Sequence, residues 1–285
     1  MSAAAVRARL AAAGVASPGA DARWLIEHVT TTVGDPDEDD RAAAALEALV
    51  ARRVGREPLQ LLIGTWGFRT VELACAPGVF VPRPETEVVA GLAVDAARAA
   101  GRRPRVAEPC TGSGAIACAL LAEVPGVEVV ASDRDPQAVE LARANLARLA
   151  DGCAGVTGPA RDARGEVRHG DLLEPLDTAW RGHLDVLVAN PPYLPRSDRG
   201  RWPPEVAHHD PDQALIGGAD GHEVVDRLLA LAVEWLAPGG VVVLEIDERR
   251  GADALATAGQ VGLGSARIVP DLSGADRAIT ARRPL

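Results

Sequence analysis

The residues with the clearest chemical potential are Asn190-Pro191-Pro192-Tyr193, which directly follow the apolar run 184–189. Aliphatic residues fill nearly every position of that run, which predicts a strand buried on both faces of a parallel sheet. In an open α/β sheet, ligands bind outside the carboxyl ends of the strands. We therefore expect these four residues to lie at a ligand site.

Their residue types suit the binding of an –NH2 group. Two successive prolines fix φ and remove two backbone donors, which leaves nearby carbonyls free to accept. Asn190 adds a side-chain carbonyl and an amide. A substrate –NH2 could donate one hydrogen to Asn190 and the other to the Pro191 carbonyl, while Tyr193, the only tyrosine, could stack on a planar amide or a base. Taken alone, the same residues also fit an ordinary turn after a strand.

A glycine-containing turn lies upstream. Residues 106–107 form a short predicted strand that runs into 108–114, Glu-Pro-Cys-Thr-Gly-Ser-Gly, and a helix begins at 115. Glycines at such a turn allow the backbone to approach a ligand closely. Asp133 ends the next strand, roughly twenty residues further on, where an acidic residue accepts from ribose hydroxyls. The glycines and Asp133 together favour an adenosine-containing ligand, and Asp171 ends a third predicted strand.

Two classes of nucleoside ligand fit the glycine spacing. Gly112-x-Gly114-x-x-Ala117 also satisfies the dinucleotide fingerprint of nicotinamide dehydrogenases. However, the Glu108 carboxylate would repel a pyrophosphate, whereas it would pair with an ammonium group. The sequence also shows no catalytic His paired with a substrate-binding Arg near a strand end. S-adenosylmethionine, which carries an ammonium, a ribose and an adenine, fits these residues better.

Alternation of strand and helix patterns from residue 105 onward predicts an α/β fold with a mostly parallel sheet covered on both faces. This pattern predicts a Rossmann-like domain in the carboxyl-terminal part of the chain. Residues 1–62 carry apolar stripes at helical spacing and predict a small N-terminal helical bundle. The period changes towards two in 63–81, which predicts a bridging β-hairpin with its turn at Ala76-Pro77-Gly78.

Composition narrows the function classes. The 285-residue chain is 47% hydrophobic and carries a formal net charge of −10, which makes direct nucleic-acid binding unexpected because phosphate binding relies on clustered positive charge.

The four cysteines show no C-x-x-C pair, so we expect reduced thiols and no metal site. No apolar run approaches the eighteen or so residues that span a bilayer. We therefore expect a cytoplasmic protein without a membrane partner.

Four ordered motifs carry a family resemblance: Pro-Arg-Pro-Glu-Thr-Glu at 82–87, Thr-Gly-Ser-Gly at 111–114, Asp133, and Asn-Pro-Pro-Tyr at 190–193. Together they resemble the HemK-type release-factor glutamine methyltransferases, which are protein N5-glutamine methyltransferases. The resemblance covers nearly the whole chain, including the helical bundle, and it implies that residues 82–285 form a Rossmann-like S-adenosylmethionine-dependent methyltransferase domain. It implies methyl transfer from S-adenosylmethionine to a glutamine side-chain nitrogen, in the best-known case that of the Gly-Gly-Gln loop of a peptide chain release factor.

The resemblance also implies roles for particular residues. Catalytic roles fall on Asn190, Pro191, Pro192 and Tyr193. Cofactor binding falls on Glu108, Cys110, Thr111, Gly112, Ser113, Gly114, Asp133, Asp171, Leu172 and Asn190. Substrate binding falls on Asn190, Pro191, Pro192, Tyr193, Arg83, Thr86 and Glu87. The implied partner is a release factor or another glutamine-bearing protein.

The chain departs from the family pattern at four places. Glu108-Pro109-Cys110 stands where Asp-x-Gly is usual, Leu172 replaces an aromatic residue, Asp210-Pro211 replaces Glu-Pro, and Asp247 replaces a glycine. These departures leave open a divergent paralogue that acts on another glutamine. Two other functions also stay open. One is an amino-group DNA methyltransferase, which holds a flipped base in a similar way, and the other is a non-catalytic S-adenosylmethionine-binding docking protein.

Overall fold

The structure is a computed structural model that describes residues 1–152 and 158–285. The helices are α1 (Ala3–Ala12), α2 (Pro18–Thr32), α3 (Asp40–Val54), α4 (Leu59–Ile63), α5 (Thr86–Ala100), α6 (Ala115–Glu123), α7 (Pro136–Ala150), α8 (Pro204–His209), α9 (Asp212–Leu215), α10 (Glu223–Trp235) and α11 (Gly251–Gln260). The strands are β1 (Thr65–Phe68), β2 (Val71–Ala74), β3 (Arg105–Pro109), β4 (Glu128–Asp133), β5 (Arg164–His169), β6 (Leu184–Ala189), β7 (Leu236–Glu245), β8 (Gly264–Pro270) and β9 (Asp276–Arg282).

The chain forms two compact units. The first contains Met1–Trp66 together with Trp202–His209, and the second contains Gly67–Arg201 and Asp210–Leu285. This division differs from the predicted domains in three respects. The predicted separate linker 63–81 is divided between the two units, because the boundary lies between Trp66 and Gly67. The first unit extends beyond residue 62 to Trp66, and it takes up 202–209, which the sequence pattern had placed inside the methyltransferase domain.

The first unit is a helical bundle whose apolar stripes are buried. Side chains at helical spacing on α1, α2 and α3 form its core, among them the fully buried Leu10, Leu25 and Leu46. The amino end of α3 is capped by the Asp39 carboxylate, which accepts from the Arg41 N–H at 2.7 Å. The bundle agrees with the helical pattern of the sequence.

A buried ion-pair cluster explains why 202–209 belongs to the first unit. Arg53 is only 6% exposed, and its guanidinium donates to Asp21 at 2.7 Å and to Glu205 at 3.0 Å. Arg56 donates to both Glu205 oxygens, at 2.8 and 2.7 Å. Burial opposes ionisation of Glu205, but the hydrogen bonds from Arg56 and Arg53 outweigh it and lower its pKa to about 2.

The hairpin turn lies elsewhere than the sequence predicted. Strands β1 and β2 form a two-stranded sheet whose turn is Arg69-Thr70, with Arg69 in the left-handed region at φ +51°. Ala76-Pro77-Gly78 follows β2 instead and lies in an irregular stretch. The predicted turn was wrong because Pro and Gly are common in turns and loops of every kind. Their presence does not identify the turn that connects the two strands of a hairpin.

The second unit is built on a seven-stranded sheet of order β5-β4-β3-β6-β7-β9-β8. The five strands from β5 to β7 are parallel, whereas β9 runs antiparallel to both β7 and β8. The antiparallel pair of β8 and β9 therefore closes one edge of the sheet. The mostly parallel Rossmann-like fold expected from the sequence is confirmed.

Alternate side chains of the central strands enter two separate cores. Val186 and Val188 of β6 pack into the core beneath α5, α6 and α7, while Leu187 and Ala189 pack into the core beneath α10 and α11. Because both faces are buried, these strands read as continuous apolar runs. Helix α6 is buried along Ala115–Leu121, so it too is apolar all round.

Two further expectations concern the thiols and membranes. Cys75, Cys110 and Cys118 are free, and Cys153 lies outside the described residues. Within 1–152 and 158–285, no helix combines the length and the apolar character needed to cross a membrane.

The ion-pair cluster of the first unit gives a stability prediction. Glu205→Gln removes a carboxylate that two arginines contact and leaves part of the buried Arg53 charge uncompensated, so we expect the free energy of unfolding to fall by roughly 1 to 3 kcal/mol at pH 7. Hydrogen exchange of 202–209 should become faster. Chemical denaturation and exchange mass spectrometry measure the two effects.

Glu47→Gln is the matched control, because Glu47 pairs with Arg9 on the exposed surface and such pairs contribute little. The lowered pKa of Glu205 also sets the pH dependence. Its stabilising effect is present above the ordinary carboxyl pKa and is lost as the pH falls towards 2. Equal stability of the two variants would show that the Glu205 contacts do not hold the segment.

Candidate active site

The candidate site lies where the strand order reverses. From β3 the chain passes to β4 and β5 on one side of the sheet, whereas β6 and β7 lie on the other side, so β3 and β6 flank the switch point. The carboxyl ends of these parallel strands share one edge. A crevice at such a point is the usual ligand position in doubly wound sheets.

A cavity opens at this edge. The empty space here, counted together with the solvent at its open mouth, is about 980 Å³. Most of the predicted site residues line it: Thr86, Glu108, Cys110, Thr111, Gly112, Ser113, Asp133, Asp171, Leu172, Asn190 and Pro192. Five do not: Arg83, Glu87, Gly114, Pro191 and Tyr193. The cavity brings the glycine turn and Asn190 together.

The turn between β3 and α6 alternates left-handed residues. Cys110, Gly112 and Gly114 have φ values of +59°, +56° and +80°. Cys110 is the unusual member because a non-glycine residue in this region costs on the order of 1 kcal/mol. Gly114 packs closely against α7, since a Cβ there would lie 3.1 Å from the Ala142 Cβ. It does not line the cavity, and its assignment as a cofactor-binding residue stays a prediction.

Asp133, at the end of β4, holds the glycine turn in place. Its Oδ2 accepts from the Gly112 N–H at 2.9 Å, and its Oδ1 accepts from the Asp135 N–H at 2.9 Å. Burial raises the pKa of this carboxyl despite these bonds. Each carboxylate oxygen has a second lone pair, so both can also accept from a ligand hydroxyl.

Glu108, in β3, is a buried carboxyl with an unused acceptor. It is 2% exposed, and its Oε2 is buried and outside hydrogen-bonding geometry with every donor in the described residues. Burial raises its pKa to about 8, although Thr111 and the Ala117 and Ile116 N–H groups favour the charged form. An ammonium group in the cavity would supply the missing donor and restore ionisation. The buried Glu108 carboxyl therefore fits the ammonium group of S-adenosylmethionine.

Asp171 and Leu172 follow β5 and form another wall. Asp171 accepts from Arg227 of α10 at 2.6 Å. Leu172 has a buried side chain, and its backbone is left-handed with φ +48°. Its carbonyl accepts from the Ser132 hydroxyl at 2.5 Å. An aliphatic side chain thus stands where an aromatic one was expected from the family pattern.

The loop after β6 fixes the Asn-Pro-Pro-Tyr residues. Leu194 donates to the Leu215 carbonyl at 2.8 Å, and Gly217 donates back to the Leu194 carbonyl at 3.1 Å. Gly217 also approaches the Pro192 carbonyl so closely that any side chain would collide with it. Asn190 Nδ2 donates to Thr86 Oγ1 at 3.1 Å. These contacts place Asn190 and Pro192 in the cavity wall.

Three predicted contact residues have other partners. The Tyr193 hydroxyl donates to Glu245 at 3.0 Å, behind the cavity wall. Arg83 donates to Asp210 at 2.5 Å and lies over the Phe80 ring. Glu87 is half-buried, and its backbone carbonyl accepts from Arg69. The prediction that they contact the substrate therefore stays untested, and the structure instead gives Arg83 and Tyr193 supporting contacts.

Sequence comparison finds two family profiles in the chain. Residues 4–64 match a profile described as the PrmC N-terminal domain, and residues 72–200 match one described as the methyltransferase small domain. A release factor glutamine methyltransferase of Mycolicibacterium smegmatis is 41% identical over 98% of this chain and 95% of that relative. A Streptomyces coelicolor protein of the same name is 40% identical over 97% and 95%.

The chain belongs to the release factor glutamine methyltransferase family. The resemblance drawn from the four motifs is thereby confirmed. A solved methyltransferase from Pyrococcus furiosus, 19% identical, covers 75% of this chain and 90% of its own with a TM-score of 0.51, and this likeness concerns the fold alone.

Sequence reasoning missed several residues of the site. The additional wall residues are Val79, Phe80, Pro82, Ala115, Ile116, Arg134, Asp135, Ala138, Pro211, Gln213, Ala214, Val224 and Arg227. They come from loops and helices that only the fold brings to this edge. Glu245 does not line the cavity but was also missed as the hydrogen-bond partner of Thr86, although a carboxyl at the end of the apolar β7 was a usable signal.

The raised pKa of Glu108 predicts how Glu108→Gln changes stability. The native carboxyl binds a proton between its ordinary pKa of 4.5 and about 8, so the free energy of unfolding falls as pH rises through that window. The glutamine variant lacks this slope. We expect it to be more stable than the parent protein, without ligand, by roughly 1 to 3 kcal/mol at pH 8.5 and by much less at pH 5.

Urea denaturation at the two pH values measures the difference. Glu123→Gln is the matched control. It should be less stable than the parent protein at both pH values, because the hydrogen bond from Arg69 lowers the pKa of Glu123 and its ionised carboxyl stabilises the fold. If the parent and Glu108→Gln proteins show the same pH dependence, Glu108 is not the buried proton-binding group.

Proposed function

We propose that the chain transfers a methyl group from S-adenosylmethionine to the side-chain nitrogen of a protein glutamine. The proposed substrate is the glutamine of the Gly-Gly-Gln loop of a peptide chain release factor. The observation that carries the proposal is the shared cavity of Glu108, Gly112 and Asn190 at the switch point. It supports a cation and an amide as neighbouring ligands. The names and near-complete coverage of the relatives support the substrate.

The cavity residues divide into those suited to the cofactor and those suited to the amide. Glu108 Oε2 would accept from the ammonium group, Asp133 would accept from the ribose hydroxyls, and the open turn at Gly112 would permit close approach. When bound, S-adenosylmethionine supplies an electrophilic methyl group on a sulfonium. Asn190 and the Pro191-Pro192 backbone would hold the substrate nitrogen.

Orientation must supply most of the assistance, because an amide nitrogen is a poor nucleophile. Positioning of two reactants can be worth about 7 to 11 kcal/mol. Asn190 Oδ1 and a proline carbonyl would accept both N–H groups and stabilise the positive charge that develops on nitrogen, by on the order of a few kcal/mol. The proton can leave after methyl transfer, so no general base is required among the cavity residues.

Asn190→Asp tests the amide-binding step. The substitution keeps the size of the side chain but replaces the donor to Thr86 by an oxygen. Because the Thr86 hydroxyl already donates to Glu245, two acceptors then face each other and the side chain is pushed from its position. We expect methyl transfer to fall by at least about 100-fold and cofactor affinity to change by less than about threefold. Transfer of labelled methyl and calorimetric titration with S-adenosylmethionine measure the two quantities.

The substrate is tested by offering the protein three possible methyl acceptors. They are purified release factor, the same factor with its Gly-Gly-Gln glutamine changed to glutamate, and double-stranded DNA. Label on the glutamine, located by peptide mass mapping, supports the proposal. Label on DNA would favour an amino-group DNA methyltransferase instead. Cofactor binding without transfer to any substrate would favour a non-catalytic binding protein.

Asp133→Ala tests the cofactor side. Loss of an acceptor for the ribose and of the bond that holds Gly112 should weaken S-adenosylmethionine binding by roughly 1 to 3 kcal/mol in calorimetry. Asp177→Ala is the matched control, since Asp177 also accepts a backbone N–H, that of Ala179, but does not line the cavity. Equal affinity in the two variants would remove Asp133 from the cofactor site.

A further inference from the structure

Behind the cavity wall lies a chain of three hydrogen-bonded side chains. Glu245 ends β7 and is 1% exposed, and its Oε2 accepts from the Thr86 hydroxyl at 2.7 Å. Thr86 begins α5, and its Oγ1 accepts from Asn190 Nδ2 at 3.1 Å. Glu245 does not line the cavity, whereas Thr86 and Asn190 do. A carboxyl is thus connected to the cavity through one hydroxyl.

The direction of these bonds follows from donor counting. A threonine hydroxyl has one hydrogen and two lone pairs, and an ionised carboxylate can only accept. The Thr86 hydrogen is therefore committed to Glu245, and only acceptor capacity remains for Asn190. If the Asn190 amide were rotated by 180°, its Oδ1 would face the Thr86 oxygen without a hydrogen between them. The carboxylate thereby selects the rotamer in which Nδ2 faces Thr86.

We propose that Glu245 is a positioning residue that, through Thr86, holds the Asn190 amide with its carbonyl oxygen directed to the substrate nitrogen. This inference rests on the proposed function, since the selected oxygen is the acceptor that a glutamine –NH2 requires. Glu245 acts at a distance and is not itself a catalytic residue. The same carboxylate accepts from the Tyr193 hydroxyl at 3.0 Å, so it also fixes the residue that ends the motif.

The surroundings of Glu245 define the pH at which this arrangement is complete. Burial raises its pKa to about 7, while the hydrogen bonds from Thr86 and Tyr193 and the charge of Arg277 on β9 lower it and the charge of Glu85 raises it. Arg277 is itself paired with Asp271 at 2.9 Å. Above pH 7 the carboxyl is mostly ionised and accepts only, so pH 8 is the appropriate condition for a test.

The first test is kinetic, at pH 8, with release factor as substrate. Glu245→Met removes the acceptor while keeping a similar shape, and Thr86→Val removes the hydroxyl. We expect each to lower kcat roughly 10- to 100-fold, with little change in the release-factor KM or in S-adenosylmethionine affinity. The conservative variants should recover activity, so that Thr86→Ser exceeds Thr86→Val and Glu245→Gln exceeds Glu245→Met.

The second test observes Asn190 without catalysis. The sequence contains two asparagines, Asn145 and Asn190, so protein labelled with ¹⁵N-asparagine gives two side-chain amide pairs. Asn190→Asp identifies the Asn190 pair. We expect Glu245→Met and Thr86→Val to shift that pair, whereas the Asn145 pair stays in place, because Asn145 bonds the Ala74 and Ser113 backbones instead.

Glu123→Met is the matched control, since Glu123 pairs with Arg69 and does not line the cavity, and it should leave kcat and both amide pairs unchanged. If wild-type kcat persists in Thr86→Val, or the Asn190 pair does not move, the positioning role is overturned. If the parent protein transfers no methyl to release factor, the proposed function fails, and the amide signals still decide the orientation of Asn190.

Discussion

The constraint on which the candidate site depends is the burial of two carboxyls at the carboxyl edge of one sheet. Glu108 and Glu245 end neighbouring regions of the sheet, on β3 and β7, and β6 with Asn190 lies between them in strand order. Burial raises the pKa of both. Their difference is in their partners, because Glu108 keeps an acceptor without a donor, whereas both Glu245 oxygens accept from hydroxyls. One carboxyl therefore suits a cationic ligand and the other suits a fixed polar support.

The backbone around these carboxyls is arranged for close approach. Left-handed residues at Cys110, Gly112 and Gly114 turn the chain sharply from β3 into α6. Asp133 holds this turn by accepting from Gly112, and Ala142 packs against Gly114 where no larger side chain would fit. The strain at Cys110 persists because neighbouring strands and helices determine the path of the turn. A rigid opening for a ligand is the result.

Residues 202–209, which follow the Asn-Pro-Pro-Tyr motif in the chain, belong to the helical first unit. Residues 202–209 carry Glu205, and the charge of this carboxylate is balanced by Arg53 and Arg56. Arg53 also donates to the Asp21 carboxylate, so each buried charge in the cluster has a partner of opposite sign. Such a cluster adds specificity to the docking of the segment, because an apolar residue at 205 would remove the carboxylate that both guanidinium groups contact and leave Arg56 without an acidic partner.

The sequence by itself determined the fold class and the motif residues. Apolar runs without alternation required strands covered on both faces, and glycine spacing, Asp133 and Asn190 marked three strand ends. These features are local, so single-sequence patterns contain them. The tertiary structure decided which side chains meet. Thr86, Asn190 and Glu245 lie far apart in the chain, and the hairpin turn and the place of 202–209 depend on packing partners that no local pattern encodes. For the same reason the hydrogen-bond partners of Tyr193 and Arg83, which are Glu245 and Asp210, could not be predicted from the sequence.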